Sequence, residues 1–81
     1  MPSSLRSKEH TVLRTLLADL RAEAGLTQAQ LAAELGVAQT FISKAEVGER
    51  KIDLPTALRW AKACRVPMRP FLNRLAVALE K

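Results

Sequence analysis

The sequence contains only one cysteine and one histidine, and these scarcities exclude several classes of protein. Cys64 has no second cysteine with which to form an internal disulfide. His10 has no second metal-binding residue near it in the sequence, which favours a role on the side of a helix over a metal site. One histidine and one cysteine cannot supply a nucleophile, a base and an orienting group. We therefore expect no enzymatic activity, no bound metal and no cofactor.

Glycine, proline and long apolar runs are also scarce. The three glycines and four prolines stand among 81 residues of which 48% are hydrophobic, a composition typical of a packed globule. No apolar run approaches the ~20 residues of a membrane-spanning helix, and the first residues lack the apolar run of a signal peptide. We expect one domain over residues 1–81, located in the cytoplasm and without a membrane partner.

Acidic residues are fewer than basic ones. The sequence has eight aspartates and glutamates and 13 lysines and arginines, which gives a net charge of +5. A positive excess attracts polyanions and makes nucleic acid the first candidate partner. The alternative is that these charges form an ordinary solvated surface.

Apolar residues recur every three or four positions early in the chain, as they do along one face of a helix. The first such run ends at Gly25. Thr27 and Gln30 have the spacing of a capping box, in which each side chain pairs with the backbone of the other residue. This pattern predicts a second helix that begins at Gln28 and stops at Gly36, a residue suited to the left-handed turn after a helix.

Three further helices are predicted in the second half of the chain. A short one covers about residues 39–47. Asp53 is a favourable N-cap and Pro55 suits a first helical turn, so a fourth helix follows through about Arg65. A last helix covers about residues 68–80. No strand-like alternation is present, and we predict an all-α, compact five-helix fold.

The second and third helices are joined so tightly that they must cross steeply. Ala32 is small at the expected crossing point, and Gly36 permits the turn. Val37 and Ile42 can fill the space between the two helices. This pattern predicts a helix-turn-helix motif over about residues 27–51.

On these residues the chain closely resembles the Cro and phage-repressor family, also called the Xre-type helix-turn-helix family. The matching residues are Leu20-Arg21, Gly25-Leu26-Thr27-Gln28, Leu31-Ala32, Leu35-Gly36-Val37, Gln39, Ile42-Ser43, Glu46, Gly48 and Arg50. The resemblance implies a sequence-specific DNA-binding regulator of transcription, first of all a repressor that binds a palindromic operator as a homodimer. The alternatives are an activator, a restriction-modification controller protein, or an antitoxin-type module that binds a partner protein and DNA only secondarily.

The resemblance implies that the third helix enters the major groove of double-stranded DNA and reads base edges. On a helical projection one arc contains Gln39, Thr40, Ser43, Lys44 and Val47. Gln39 can form a bidentate pair with adenine, and Lys44 can donate to guanine. Thr40 suits a base or a thymine methyl group.

Other residues are expected to position the protein on the DNA. By resemblance, Gln28 binds a phosphate and braces Gln39. Arg50 and Lys51 follow the third helix, and their charge suits contacts with the sugar-phosphate backbone. For these two residues, solvated surface charge is the alternative.

Two expectations concern assembly. Arg21 and Glu46 match family positions that form a buried ion pair between the first and third helices. The last helix has an apolar arc about 160° wide, whereas covering one domain needs only ~100°. We therefore expect it to form the homodimer through Met68, Phe71, Leu72, Leu75 and Leu79. The alternative is that the whole arc covers a monomer core.

Some positions depart from the family pattern. Ala38 stands where a serine or threonine usually caps the third helix, and Arg65 replaces the usual helix-ending glycine. Residues 1–11 precede the family's usual first helix. They either lengthen that helix or form a basic arm around Arg6 and Lys8.

Overall fold

The computed structural model describes residues 7–81, and these residues form five helices with no strand. The helices are α1 (Lys8–Glu23), α2 (Gln28–Leu35), α3 (Gln39–Glu46), α4 (Leu54–Ala63) and α5 (Met68–Leu79). The predicted all-α fold is therefore confirmed. Lys8 is the first residue of α1, so the described part of the extension lengthens this helix, whereas Arg6 lies outside the described residues. None of the described helices is both long and apolar enough to cross a bilayer.

The helix-turn-helix is fixed by local signals at both ends of α2. The capping box is complete, because the Gln30 N–H donates to Thr27 Oγ1 at 3.0 Å and the Thr27 N–H donates to Gln30 Oε1 at 2.8 Å. Gly36 then adopts a left-handed conformation with φ 68°. The Val37 N–H turns back to the Ala32 carbonyl at 3.0 Å. The predicted bounds of α2 are therefore confirmed, and the chain enters α3 after a short turn.

The end of α4 uses the same turn without a glycine. Arg65 has φ 66° and is the one non-glycine residue among those described with a positive φ. The Val66 N–H donates to the Ala61 carbonyl at 2.9 Å across this turn. Because Arg65 must leave the helical region to close the turn, α4 ends at Ala63, earlier than predicted. A left-handed conformation costs an ordinary residue about 1 kcal/mol.

Trp60 and Phe71 are the largest fully buried side chains of the core. The indole N–H of Trp60 donates to the Leu17 carbonyl at 3.0 Å, which satisfies its polar atom inside the core. Phe71 ties α5 to the rest of the domain. The prediction that Phe71 lies on a dimer surface is wrong, because its side chain is completely enclosed by its own chain and cannot touch a second copy.

Candidate nucleic-acid interface

The third helix buries one face and exposes the other. Ile42 and Ala45 are completely buried against the core. Gln39, Thr40 and Lys44 are exposed on the opposite side. The helix therefore presents polar side chains to solvent in the arc that the sequence predicts. The major groove of DNA is wide enough to admit an α-helix.

Two members of that arc have a mixed character. Ser43 is half-buried, and its hydroxyl donates to the Thr40 carbonyl at 3.2 Å. Its oxygen is still able to accept a further hydrogen bond. Val47, at the end of the same face, is 62% exposed. An apolar side chain of this kind can contact a thymine methyl group.

Glu46 joins α3 to the two helices before it. Arg21 Nε donates to Glu46 Oε2 at 2.6 Å, and Arg21 Nη2 donates to Oε1 at 2.9 Å. The Gln28 amide nitrogen adds a third hydrogen bond to Oε1 at 3.0 Å. The side chains of Arg21 and Glu46 are only 20% and 9% exposed. The structure thus brings the expected ion pair together in bidentate geometry and shields it from water.

The position of Gln28 corrects one expectation. The resemblance implied that Gln28 braces Gln39, but its amide nitrogen is bonded to the Glu46 carboxylate. Within residues 7–81 no hydrogen bond connects Gln28 with Gln39. A carboxylate is a stronger acceptor than a neutral amide, so the donor of Gln28 is drawn to Glu46. Phosphate binding by Gln28 stays a prediction.

The charges of the ion pair support each other. Burial on its own raises the pKa of the Glu46 carboxyl. The hydrogen bonds from Arg21 and Gln28 and the positive charge of Arg21 lower this pKa by more, so that it lies below its usual value. The hydrogen bond to Glu46 raises the pKa of Arg21 against the effect of burial. Both groups are therefore charged at neutral pH, and the contact persists as an ion pair.

Arg14 is a second arginine of α1 at this site, and sequence reasoning missed it. Its Nη1 donates to the backbone carbonyl of Glu46 at 2.9 Å. This carbonyl lies at the C-terminal end of α3, where the last carbonyl has no partner within the helix and cations are favoured. A Cβ on Gly48 would lie 2.9 Å from Arg14 Nε, so glycine also makes room for the guanidinium. The spacing of the two arginines could have indicated this role, because residues seven apart, such as Arg14 and Arg21, lie on the same face of a helix.

The segment after α3 is also anchored by a residue whose role was missed. His10 is only 6% exposed, and its Nε2 accepts the backbone N–H of Ile52 at 3.1 Å. Burial, followed by the charges of Arg14 and Lys51, lowers the pKa of His10. The imidazole is therefore neutral at neutral pH and can act as an acceptor.

Arg50 and Lys51 lie in this anchored segment and are both exposed. The Arg50 guanidinium carbon lies 4.5 Å from the centroid of the Phe41 ring. Phe41 is half-buried and packs against the core, so its ring is a fixed support for the cation. Of the two cations expected to contact the DNA backbone, Arg50 thus lies beside α3, and Lys51 follows it in the chain.

A separate surface on α5 contains the other predicted contact residues. Met68 and Leu72 are 56% and 39% exposed, while Leu75 and Leu79 are half-buried. On a helical projection these four residues fall within about 60°. We call them the α5 strip. With Phe71 turned into the core, these four residues are the ones among the five predicted contact residues that a second molecule can reach.

The sequence profile of the helix-turn-helix family matches residues 17–71. The match includes α2, α3, the Arg21–Glu46 pair and the segment that contains Arg50 and Lys51. The chain belongs to the Cro/C1-type helix-turn-helix family. Members of this family are DNA-binding regulators of transcription and not enzymes. The family therefore confirms the predictions that the protein is a transcriptional regulator and that its partner is DNA.

Several solved structures share the fold. The wild-type restriction-modification controller protein C.Esp1396I has a TM-score of 0.86 and 24% sequence identity, and the match covers 94% of this chain and 100% of that chain. The tetramer of that protein in complex with its natural 35 base-pair operator gives a TM-score of 0.84 at 24% identity, with the same coverage. A point mutant of the same controller protein has a TM-score of 0.84 and 25% sequence identity, and the match covers 93% of this chain and 95% of that chain. No curated protein sequence matches this chain.

Proposed function

We propose that this helix-turn-helix protein is a transcriptional repressor that binds a palindromic operator as a homodimer. The observation that carries the proposal is the exposed polar face of α3, with Gln39, Thr40 and Lys44, on a helix that Glu46 locks to α1 and α2. A reading helix must keep one orientation to discriminate bases. The Glu46 contacts provide that rigidity, and repression follows when the bound dimer occupies the operator.

Each side chain on the face has a chemical role in this proposal. Gln39 donates to and accepts from adenine, and Lys44 donates to guanine, where each good pair contributes about 1–3 kcal/mol of discrimination. Thr40 and Ser43 contact bases or neighbouring phosphates. Gln28 lies at the start of α2, where the positive end of the helix dipole favours a phosphate.

Arg50 and Lys51 are assigned to the sugar-phosphate backbone. Both are exposed, and Phe41 supports the Arg50 guanidinium beside α3. Cations in such positions displace counterions from DNA, which adds affinity for any sequence. They fix the register of the protein without selecting bases.

The dimer is assigned to the α5 strip. A symmetric pairing of two strips would cover the exposed parts of Met68 and Leu72 and bury Leu75 and Leu79 more completely. Two-fold symmetry would set the two α3 helices about one turn of DNA apart, roughly 34 Å. The controller protein of the same fold occupies its operator as a tetramer, which is consistent with binding by more than one subunit.

A restriction-modification controller is the second candidate function. The specific support is that the match to the controller protein extends over 94% of this chain and all of that chain, beyond the helix-turn-helix itself. In either role the protein acts where DNA is, and we assign it to the cytoplasm.

Selection of bound sequences from a random duplex pool tests the function. The parent should enrich a two-fold symmetric motif. Gln39→Ala should lose preference at one position of each half-site, because only the side chain that reads that base is removed. Lys62→Ala, which removes an exposed charge on α4, is the control and should enrich the parent motif. An unenriched pool, or a motif without symmetry, would contradict the proposal.

A further inference from the structure

His10 lies in the first turn of α1, and its imidazole is enclosed by the protein. Its backbone N–H donates to the Ser7 Oγ at 3.0 Å, which is the N-cap of the helix. The residue is only 6% exposed, and it borders an apolar groove formed with Leu13, Leu75 and Leu79. It therefore lies between the first helix and the last, away from bulk water.

The imidazole makes one long-range hydrogen bond, and this bond fixes its protonation state. Nε2 accepts the Ile52 N–H, and the two residues are 42 positions apart in the chain. Ile52 is buried, so its N–H would lose its partner if this bond broke. An accepting Nε2 carries no proton, which places the single imidazole proton on Nδ1. Nδ1 is buried and has no hydrogen-bond partner among the described residues.

Protonation would reverse the contact. With a proton on both ring nitrogens, Nε2 becomes a donor and faces another donor, the Ile52 N–H. A buried donor–donor contact is unfavourable, and the buried cation would also lack a partner. The backbone at Ile52 would then separate from α1.

The segment that His10 holds contains the expected DNA-backbone contacts. Arg50 and Lys51 immediately precede Ile52. Arg14 holds the beginning of the segment through the Glu46 carbonyl and its close packing on Gly48. Two side chains of α1 therefore fix the two ends of one short connection, and the exposed cations lie between them.

Charged residues around His10 affect the protonation of its imidazole. Arg14 on α1 and Lys51 in the held segment both oppose a positive charge on the imidazole by electrostatic repulsion. Glu9 lies at the rim of the groove, and α5 contributes only leucine side chains there. Burial is the largest of these influences, and together with the two cations it lowers the pKa of His10 below its usual value of about 6.5. The neutral, accepting form is thus present at neutral pH and is lost only on acidification.

We propose that His10 is a positioning residue that holds the segment from Arg50 to Ile52 against α1, so that operator affinity falls when His10 is protonated. The inference rests on the proposed function, because it requires that Arg50 and Lys51 contact DNA. His10 itself touches no DNA in this scheme. It acts through the backbone of Ile52.

The test compares the parent with His10→Gln and His10→Ala between pH 7.5 and pH 4.5 at constant ionic strength. A glutamine oxygen can reach the place of Nε2 and accept the same N–H without titrating. The first measurement is hydrogen exchange of the Ile52 amide in the free protein, normalised to the intrinsic rate at each pH. The second is affinity for one fixed duplex taken from the selection experiment.

In the parent, both Ile52 protection and operator affinity should fall as the pH drops below about 6.5, with affinity lost several-fold beyond the loss in His10→Gln. His10→Gln should keep the parent's neutral-pH values and show a flatter profile. His10→Ala should leave Ile52 unprotected throughout. Thermal unfolding of each variant identifies any general loss of structure, and His10→Gln alone is sufficient for the comparison if His10→Ala does not fold.

Parallel profiles of the parent and His10→Gln, for either Ile52 protection or affinity, would overturn the inference and leave the proposed function intact. If the parent enriches no duplex at pH 7.5, the proposed function fails, and the inference fails with it. The two failures are therefore distinguishable from the binding measurement at neutral pH.

Discussion

Arg21 of α1 holds the Glu46 carboxylate of α3 with two hydrogen bonds, at 2.6 Å and 2.9 Å. The two residues are 25 positions apart, and each belongs to a different functional part of the domain. Arg21 lies in the supporting helix, and Glu46 ends the helix whose other face is exposed and is proposed to read bases. The pair therefore holds α3, and with it the exposed face of α3, in a fixed orientation on α1.

Breaking this pair from one side should be costly. Arg21→Met or Glu46→Gln alone should lower the free energy of unfolding by ~3–5 kcal/mol, because one partly buried charge loses its partner. We expect the lower end, since Arg21 retains 20% exposure. The double variant should lose much less than the sum. Denaturant unfolding of the four proteins gives the coupling energy.

The Arg74–Glu23 pair is the matched control for that cycle. It is also bidentate, but its side chains are 42% and 55% exposed. Water and salt screen such a pair, so its cycle should show much weaker coupling. Equal coupling in the two cycles would contradict the assignment of Arg21 and Glu46 as a shielded structural contact.

Adding the missing cap of α3 should stabilise the protein. Ala38 has the extended backbone of an N-cap, with φ −71° and ψ 150°, but no side chain that can accept a hydrogen bond. Ala38→Ser should raise the free energy of unfolding by about 1 kcal/mol. Ala33→Ser, at an exposed position inside α2, is the control and should be slightly destabilising. Similar effects at both positions would count against the cap.

Relaxing the turn after α4 should also stabilise the protein. Arg65 has φ 66°, a conformation that glycine adopts without the steric penalty of a Cβ. Arg65→Gly should gain about 1 kcal/mol in the free energy of unfolding, read from the denaturation midpoint. Arg69→Gly, in the first turn of α5, should instead be destabilising. A loss of stability in Arg65→Gly would show that the arginine side chain contributes more than its backbone costs.

Removing a cation that is proposed to contact the DNA backbone should change the salt dependence of binding and leave base preference unaltered. Lys51→Ala should weaken binding to all sequences about equally and reduce the slope of log affinity against log salt by about one per subunit. Titrations at several salt concentrations measure this slope. Lys62→Ala should keep the parent slope. If Lys51→Ala keeps it too, Lys51 is an ordinary solvated charge.

The α5 strip makes a prediction about assembly. Leu72→Asp should convert a dimer into a monomer at tens of micromolar protein, because the substitution puts a charge in the centre of an apolar contact. Val77→Asp is a close control, since Val77 is 56% exposed on the opposite side of the same helix. Sedimentation measures the mass of each protein. A parent that sediments as a monomer, or a dimeric Leu72→Asp, would refute the assignment of this interface.

The sequence correctly predicted several features that depend on neighbouring residues. The caps at Thr27 and Asp53 and the turn at Gly36 are local, and the structure contains all three. The Arg21–Glu46 pair was expected only from the family resemblance, because no local rule joins residues 25 positions apart.

Two of the contacts that were missed use backbone groups as partners. Arg14 donates to the Glu46 carbonyl, and His10 accepts from the Ile52 N–H. Every residue except proline has both backbone groups, so such pairs leave no signal in residue type. Phe71 was misplaced for a different reason. A helical projection shows that a face is apolar, but it does not distinguish burial by the same chain from burial by a partner.

Trp60 gives the domain an intrinsic optical probe. The sequence has one tryptophan and no tyrosine, so ultraviolet emission comes almost entirely from this one indole. The ring is completely buried, and its N–H is bonded to the Leu17 carbonyl, so folded protein should emit at the short wavelengths of an apolar environment. Unfolding exposes the ring to water and shifts the emission to the red. The stability of every variant described above can therefore be followed by fluorescence, without a label.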